Sequence, residues 1–286
     1  MEHISPSYSF ELFPPKTPAG MEKLDASVDK LNAVGPRYFS VTYGAGGSTR
    51  DRTFETVSLL RGKGIATAPH LACIGSTREE IRGILRHYRD EGIRRIVALR
   101  GDLPSGMGLG GMGELRYANE LVEFIRAEPG DHFFSEVAAY PEFHPQAASA
   151  ELDLASFKRK VDAGANAAIT QYFYNPDAYR AFLDSCERLG VRIPVVPGIM
   201  PITNFTQLAR FSDACGAEIP RWIRRRMEGF GDDIESIRAF GHEVVLDMCR
   251  RLLDDGVPGF HFYTMNQADP TLQIWRDLGL PSAGLL

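Results

Sequence analysis

The stretch that decides the fold is Ser7-Tyr8-Ser9-Phe10-Glu11-Leu12-Phe13-Pro14-Pro15. Its first half is rich in apolar and aromatic residues, as expected of a buried strand, and it ends on a carboxylate followed by two prolines. A doubly wound sheet would need a glycine-rich phosphate loop at this point. Proline has no backbone N–H with which to hold a phosphate, so this stretch favours a closed barrel instead.

Seven further runs have the same form and end on polar residues. They begin near residues 37, 66, 95, 133, 167, 194 and 259, and an amphipathic segment separates most of them. Alternation of strands and helices without tight hairpins predicts parallel strands. We therefore predict a single (β/α)8 (TIM) barrel domain over residues 1–286, with its chemistry at the carboxyl ends of the strands.

Local signals also predict where the helices lie. Apolar residues at helical spacing predict helices before Pro36 and over 53–60, 77–88, 114–125, 152–161 and 177–189. Thr77 with Glu80 forms a capping box, and Asn175-Pro176 marks another helix start. Three extra helices are predicted between strands 7 and 8, over 205–214, 220–227 and 233–253, with an Arg- and Asp-rich insertion at 220–232.

Composition narrows the class of protein. A chain of 286 residues, of which 44% are hydrophobic, can bury one large α/β core. A net charge of -5 argues against a nucleic-acid or anionic-membrane partner. No signal peptide or apolar span is evident, and the four cysteines have no metal-site spacing, which indicates reduced thiols in a cytoplasmic protein. The cysteines are Cys73, Cys186, Cys215 and Cys249.

Glu11 is the first candidate for catalysis. Its neighbours Phe10, Leu12 and Phe13 exclude water from the carboxyl group, which favours the protonated form that a general acid needs. The alternatives for this residue are a cap on a nearby element and a structural ion pair with an arginine. At the fourth strand end, Arg100-Gly101-Asp102 offers a fork for phosphate, a close backbone approach and a carboxylate, or else an internal Arg–Asp pair.

Other polar residues are candidate site residues on weaker sequence evidence. His70 and His144 follow strand ends, but with Glu142 they lack short metal-ligand spacing, so no metal site is predicted. Lys158-Arg159-Lys160 is either a solvated helix face or a source of one cation turned toward a diphosphate. Five glycines between 106 and 113 predict a flexible loop over the site, and whether it acts as a lid is open.

Eight short motifs, taken together and in order, are specific enough to indicate a protein family. They are Ser9-Phe10-Glu11-Leu12-Phe13-Pro14-Pro15, Ser40-Val41-Thr42-Tyr43-Gly44-Ala45, Ala68-Pro69-His70-Leu71, Ala98-Leu99-Arg100-Gly101-Asp102-Leu103-Pro104, Ala139-Tyr140-Pro141-Glu142, Lys158-Arg159-Lys160-Val161-Asp162-Ala163-Gly164-Ala165-Asn166, Ile169-Thr170-Gln171 and His261-Phe262-Tyr263-Thr264. Over nearly its whole length the chain resembles the bacterial 5,10-methylenetetrahydrofolate reductases. Long members of that family carry a C-terminal regulatory domain, which we expect to be absent here.

The resemblance implies noncovalent FAD at the strand ends, which explains the missing dinucleotide fingerprint. The positions that match FAD contacts are Thr42, His70, Arg100, Gly101, Asp102, Tyr140, His144, Asp153 and Lys160. In the family pattern, Arg100 and Lys160 would face the diphosphate and Asp153 a ribose hydroxyl. The resemblance also implies NADH or NADPH as cosubstrate, a role in methionine synthesis and self-association into dimers or tetramers.

Folate contacts are implied at Glu11, Gln171, Gln207 and Phe211. In the implied ping-pong reaction, Glu11 is the general acid and Asp102 stabilises a cationic folate intermediate. Gln267 departs from the pattern, because the family usually has an arginine there that faces the glutamate end of the folate. Glutamine cannot form that bidentate ion pair, so another cation would have to compensate.

The sequence alone leaves three other classes of protein open. The chain could be a relative of flavin-dependent proline dehydrogenases or a folate-binding methyltransferase barrel. It could also be a flavin- or folate-binding subunit of an electron-transfer complex that takes electrons from a protein partner. Its cysteines lack cluster spacing, but a partner could supply an iron–sulfur cluster.

Overall fold

Eight parallel strands close into a barrel in which each strand pairs with the next along the chain and β8 pairs with β1. This is seen in a computed structural model that describes residues 6–43, 47–102, 113–128 and 130–282, with only the backbone described at 47–49. The strands are Ser7–Leu12 (β1), Tyr38–Val41 (β2), Thr67–Ala72 (β3), Arg95–Leu99 (β4), Phe134–Ala139 (β5), Ala167–Tyr172 (β6), Val195–Ile199 (β7) and Gly259–Tyr263 (β8). The predicted fold and strand positions are confirmed.

Helices surround the barrel. They are Pro18–Asn32 (α1), Gly47–Gly62 (α2), Arg78–Asp90 (α3), Ala118–Ala127 (α4), Ala150–Asp162 (α5), Pro176–Arg188 (α6), Phe205–Cys215 (α7), Arg221–Phe230 (α8), Ile234–Asp254 (α9) and Ala268–Asp277 (α10). The capping box of Thr77 and Glu80 and the cap at Asn175 are present. The three extra helices between β7 and β8 are also confirmed.

Two predicted helix starts are wrong: α2 begins at Gly47, six residues before the predicted start at 53, and α4 begins later than predicted. The apolar pattern placed the fourth helix from residue 114, but α4 begins at Ala118. Glu114 belongs instead to the start of α3, because its backbone N–H donates to the Ser76 carbonyl at 3.1 Å and its carboxylate accepts from the Arg78 N–H at 2.6 Å. A carboxylate is stabilised at that position by the unpaired N–H groups of the helix N-terminus.

The last helix, α10, is absent from the sequence-based prediction. Trp275, which is 1% exposed, lies on this helix and packs against Tyr8 and Phe10 of β1, with ring centroids 5.0 and 5.7 Å away. Since β1 and β8 are the strands that close the barrel, α10 covers the closing seam from outside.

The apolar residues form two layers. Most of the core lies between the barrel and its helices, whereas Tyr38, Ala68, Val97 and Ile169 form a separate small cluster on the other side of the strands. Successive strand residues point to opposite faces, so this second cluster fills the barrel interior. The interior is therefore packed below the carboxyl ends of the strands, which form the mouth of the barrel.

Within the described residues, no helix is both long and apolar enough to cross a membrane. All four cysteines are free, and three of them are buried.

Gly198 on β7 occupies a place where no side chain fits. A Cβ atom there would lie 2.2 Å from the Thr170 carbonyl oxygen and 2.5 Å from the Tyr263 ring. The Tyr263 hydroxyl donates to that same carbonyl at 2.7 Å, and Gly198 N–H donates to the Thr170 hydroxyl at 2.8 Å. The contact between β6, β7 and β8 therefore depends on this glycine.

We predict that Gly198→Ala lowers the free energy of unfolding by about 2–3 kcal/mol, because a backbone carbonyl cannot move aside at low cost. The control is Gly229→Ala on α8, where an added Cβ meets nothing within 4 Å. That change should be neutral or stabilising by up to about 1 kcal/mol. Urea unfolding midpoints measure both, and equal midpoints for the two variants would contradict the predicted clash.

Candidate active site

A cavity of about 730 Å³ opens at the carboxyl ends of the strands. Its volume falls within the range of small-molecule sites. Eight of the predicted site residues line it, and these are Glu11, Thr42, His70, Asp102, Tyr140, His144, Gln171 and Phe211. The predicted strand-end residues thus share one cavity with apolar walls, which include Leu99, Ile169 and Met200.

Glu11 lies at the floor of this cavity and is only 6% exposed. Its Oε2 is 3.4 Å from His70 Nε2 and 3.7 Å from His261 Nε2. His261 is held in turn by hydroxyl groups, with its Nδ1 2.7 Å from Ser9 Oγ and its Nε2 3.4 Å from Ser40 Oγ. The carboxyl group therefore has two imidazoles as neighbours and little access to water.

Burial lowers the pKa of His70 to about 4, with Glu11 opposing the shift and His261 adding to it. His70 is therefore a neutral imidazole at pH 7. Although His70 Nε2 lies near Glu11, it has no hydrogen-bond partner among the described residues. A buried polar atom of this kind at a cavity wall is a natural contact for a ligand.

On a second wall of the cavity Tyr140 and His144 lie side by side, and Asp153, which does not line the cavity, supports the His144 backbone from behind. The Tyr140 and His144 rings meet edge to face with centroids 4.6 Å apart, and Asp153 Oδ2 accepts from the His144 N–H at 2.9 Å. Burial raises the pKa of Tyr140 to about 12, with Asp153 and Asp102 adding to the shift. Burial also lowers the pKa of His144, so this wall offers neutral hydrogen-bonding groups.

The predicted cations lie beside this wall. The Lys160 ammonium donates to the Ala138 carbonyl at 2.5 Å, and burial lowers its pKa to about 8 while Asp153 opposes the shift. Arg100 donates to Gln146, and both Ala138 and Gln146 line the cavity. Arg100 and Lys160 themselves do not line the cavity, but each donates a hydrogen bond to a residue that does.

The structure gives a further reason for glycine at position 101, which could not be read from the sequence. Its φ is +85°, and a Cβ there would lie 2.8 Å from Ala72 Cβ and 2.9 Å from Ile74 Cγ2. Glycine is therefore required by the backbone and by packing against the chain that follows β3. The adjacent Asp102 is exposed and lines the cavity. The predicted glycine-rich loop falls mostly on residues 103–112, outside the described part of the chain.

The residues predicted to contact folate line three different cavities. Gln171 and Phe211 line the mouth, and Phe211 is 38% exposed. Gln207 follows the Asn204 cap of α7 and lines a shallow neighbouring cavity that also contacts Phe211. Gln267 lies outside the mouth and lines a separate cavity beside it.

Sequence reasoning did not single out His261 or Ser9 as site residues. The signal was present, because Ser9 alternates with Tyr8 and Phe10, and His261 alternates with Phe260 and Phe262. Alternation places each polar side chain on the face opposite its aromatic neighbours, which is the barrel interior. Their pairing across β1 and β8 could be found only from the strand register.

Among the described residues, no group of three or more His, Cys, Asp or Glu side chains is arranged to hold a metal ion.

Fold and site together define a class, a (β/α)8 barrel with a buried carboxyl group and a polar cavity at its strand ends. Comparison with known proteins gives the family. Residues 1–279 match the family model described as methylenetetrahydrofolate reductase. The chain belongs to the methylenetetrahydrofolate reductase family, a family of oxidoreductases.

Curated proteins of similar sequence are also named methylenetetrahydrofolate reductases. The chain is 44% identical to 5,10-methylenetetrahydrofolate reductase of Escherichia coli (strain K12) over 95% of this chain and 90% of that protein. It is 38% identical to methylenetetrahydrofolate reductase (NADH) 1 of Arabidopsis thaliana over 96% of this chain and 48% of that protein. The long relative's additional sequence thus lies outside the part that resembles this chain.

Among solved structures, a protein from Clostridium thermocellum described as binding two copies of 5-methyl-5,6,7,8-tetrahydrofolic acid has a TM-score of 0.69 at 15% identity, covering 96% of both chains. A dihydropteroate synthase from Coxiella burnetii in complex with pteroic acid has a TM-score of 0.51 at 10% identity, covering 95% of this chain and 91% of that one. At these identities the likeness supports the barrel fold alone.

Glu142 provides a test of the site's electrostatics. Its Oε2 accepts from the Glu218 N–H at 2.7 Å, and its buried Oε1 has no hydrogen-bond partner among the described residues. Burial raises the pKa of Glu142 from 4.5 to about 7, with the Glu218 carboxylate adding and the Glu218 N–H opposing. The unfolded chain therefore ionises first, and stability falls as pH rises from about 4.5 to about 7.

We predict that Glu142→Gln stabilises the protein by about 1 kcal/mol at pH 8 and has little effect at pH 5, since water reaches the side chain and reduces the full effect. Glutamine keeps an acceptor for the Glu218 N–H. The control is Glu243→Gln on the exposed face of α9. Thermal unfolding at both pH values measures the effect, and equal shifts at pH 5 and pH 8 would contradict it.

Proposed function

We propose that the chain is a flavin-dependent reductase that converts 5,10-methylenetetrahydrofolate to 5-methyltetrahydrofolate with electrons from NADH or NADPH. FAD would be held noncovalently at the barrel mouth, and the product would serve methionine synthesis in the cytoplasm. The observation that carries the proposal is the Glu11 carboxyl group, buried at the floor of the mouth between His70 and His261.

The mouth is chemically suited to FAD. It has apolar walls, the orphaned His70 Nε2 and neutral hydrogen-bonding groups on Tyr140 and His144. Arg100 and Lys160 would hold the diphosphate, and Asp153 would accept from a ribose hydroxyl. Thr42 and the Gly101-Asp102 backbone complete the expected contacts. When bound, FAD supplies a hydride carrier between the nicotinamide and the folate, which no amino-acid side chain can replace.

Glu11 would provide the proton. The five-membered ring of methylenetetrahydrofolate must open before carbon can accept hydride, and protonation at N10 makes that nitrogen a leaving group. A carboxyl group buried at the floor of the mouth is placed to pass its proton to the substrate directly, with little competition from bulk water. His261, fixed by Ser9 and Ser40, restricts the orientation of the carboxyl group.

Asp102 would act by charge. Opening of the ring leaves a cationic iminium group on the folate, and a carboxylate close to it lowers the energy of that cation. Asp102 is exposed on the wall of the mouth, whereas Glu11 is shielded from solvent. The two carboxyl groups thus have different environments, which suits them to different roles.

The folate would lie between the Gln171 side of the mouth and α7. Gln171 offers an amide for the pterin, and the exposed ring of Phe211 offers an apolar face for the middle of the folate. Gln207 extends this surface along α7. Gln267 would contact the glutamate end without the charge that arginine supplies in most relatives.

We predict that Glu11→Gln leaves reduction of the bound flavin by NADH or NADPH nearly unchanged and slows folate reduction by a factor of about 10²–10⁴. Glutamine keeps the shape of the side chain but cannot donate a carboxyl proton. Stopped-flow absorbance follows the two half-reactions separately. Glu187→Gln on the exposed end of α6 is the control with the same charge change. Equal losses in both half-reactions would rule out the proton-donor role.

The electron source has a separate test. We expect the purified protein to be yellow and NADH or NADPH alone to bleach it, with methylenetetrahydrofolate restoring the colour. A yellow protein that neither nucleotide bleaches would point to a protein electron donor instead. A colourless protein without flavin would contradict the proposed function.

A further inference from the structure

The barrel interior contains a column of polar side chains below Glu11. Inward-facing positions of a (β/α)8 barrel are usually filled by branched apolar residues. In this chain Ser9 and Glu136 are buried polar residues, and Tyr38 lies in the small cluster of the interior. Tyr38 and Arg95 are the first residues of β2 and β4. Because the strands are parallel, these first residues lie at the amino-terminal end of the barrel, opposite the mouth.

His261 joins Glu11 to Ser9 in the upper part of the column. His261 Nε2 is 3.7 Å from Glu11 Oε2, and His261 Nδ1 is 2.7 Å from Ser9 Oγ. The longer of these contacts is typical of catalytic hydrogen bonds before a ligand is bound. The strand register places Ser9 level with His261 of β8 and with Tyr38 of β2. Since an imidazole can accept a proton at one nitrogen and donate one from the other, His261 can connect the Glu11 carboxyl group with the Ser9 hydroxyl.

Tyr38 joins Ser9 to Glu136 in the lower part of the column. The Tyr38 ring is stacked on the His261 ring, with centroids 6.2 Å apart. Burial raises the pKa of Tyr38 well above its usual value, and the Glu136 carboxylate adds to the shift. Hydrogen bonding with Ser9 and the charge of Arg95 oppose it. Tyr38 therefore keeps its proton at neutral pH and has Ser9 and Glu136 as neighbours.

Arg95 holds Glu136 at the lower end of the column. Its guanidinium group donates to Glu136 Oε1 at 2.8 Å, and the central carbon of that group is 4.6 Å from the centre of the Tyr38 ring. The Arg95 side chain is 14% exposed, whereas the Glu136 side chain is only 3% exposed. Solvent therefore reaches the residue paired with Glu136, at the end of the barrel opposite the mouth.

Stability alone does not account for Glu136. Its buried Oε2 has no hydrogen-bond partner among the described residues. A buried polar atom that is left unpaired costs free energy. An apolar side chain would avoid that cost, since the partner of Glu136 on β4 is Val97, which belongs to the apolar cluster of the interior. A carboxyl group differs from such a side chain in that it can take up and release a proton.

We propose that this column is a proton relay, which carries a proton from solvent at the amino-terminal end of the barrel to Glu11 while ligands cover the mouth. The Tyr38 hydroxyl gives its proton to Ser9 and receives one from Glu136, which takes up a proton from solvent. Ser9 gives its proton to His261 Nδ1, and His261 Nε2 gives one to Glu11. Each relay group ends with the number of protons it began with. The inference rests on the proposed function, in which Glu11 passes one proton to each folate molecule.

Hydrogen exchange at the His261 ring tests the relay without turnover. NMR of the protein with isotope-labelled histidine measures exchange of the ring N–H with water, after 5-methyltetrahydrofolate has been added to cover the mouth. Tyr38→Phe removes one hydroxyl group and keeps the aromatic ring. We expect exchange at His261 to continue in the wild-type protein and to slow by about tenfold in Tyr38→Phe, because the route from the lower end is broken.

Turnover in ordinary and deuterated water gives a second measurement. Tyr38→Phe should leave reduction of the bound flavin by NADH or NADPH nearly unchanged and slow the folate half-reaction by about tenfold. Deuterated water should slow that half-reaction more in Tyr38→Phe than in the wild-type protein, because proton supply becomes limiting. A change of shape alone would not increase the effect of deuterated water.

Tyr179→Phe is the matched control. The Tyr179 hydroxyl is buried and donates to the Val195 carbonyl at 2.7 Å, in the layer between the barrel and its helices. This variant loses a comparable hydrogen bond without touching the column, so we expect wild-type results. Ser9→Ala breaks the relay at a second point and should behave like Tyr38→Phe, so the test does not depend on one variant. Thermal unfolding and flavin content check that each variant is folded and loaded.

Three results would overturn the relay. They are unchanged His261 exchange in Tyr38→Phe, equal effects of Tyr38→Phe and Tyr179→Phe, and wild-type exchange that stops once the folate covers the mouth. The last result would show that protons arrive only through the mouth. Failure of the proposed function is seen separately, because the wild-type protein itself would then contain no flavin or would not reduce methylenetetrahydrofolate, and Glu11 would have no proton to replace.

Discussion

The pairing of β1 with β8 is the interaction on which the site depends. Its register sets Ser9 beside His261 and Glu11 beside Tyr263, although these partners are about 250 residues apart in the chain. The Thr264 hydroxyl donates to the Glu11 carbonyl at 2.6 Å and fixes the strand end. A shift of one residue would turn each of these side chains toward the helices, so closure of the barrel and assembly of the site are the same event.

Exclusion of water then gives the two carboxyl groups different surroundings. Glu11 lies on the barrel floor, whereas Asp102 lies on the rim where solvent reaches it. One cavity thus holds a shielded carboxyl group and a solvent-exposed one. The difference in exposure follows from position relative to the strands, since Glu11 lies within β1 and Asp102 lies three residues beyond the end of β4.

Local sequence was enough to predict much of this arrangement. Strand ends could be read from apolar runs, and helix starts from caps such as Thr77 with Glu80, because both signals depend on neighbouring residues. The prediction for Glu114 was wrong because its partners, Ser76 and Arg78, lie at the start of α3, far from it in the chain. The same holds for His261, whose role depends on strand register, and for α10, whose stability comes from Trp275 packing on β1. Local sequence patterns cannot predict contacts between residues that lie far apart in the chain.

The turn after β8 combines backbone strain with an unusual position. Met265 and Asn266 both have positive φ, of 51° and 58°, and Asn266 is fixed by two hydrogen bonds to the Phe13 backbone. One side of this turn faces the mouth and the other faces the neighbouring cavity. Residue 267 follows this turn and lines the neighbouring cavity rather than the barrel floor. A change of side chain there would therefore reshape that cavity and leave the buried Glu11 carboxyl group in place.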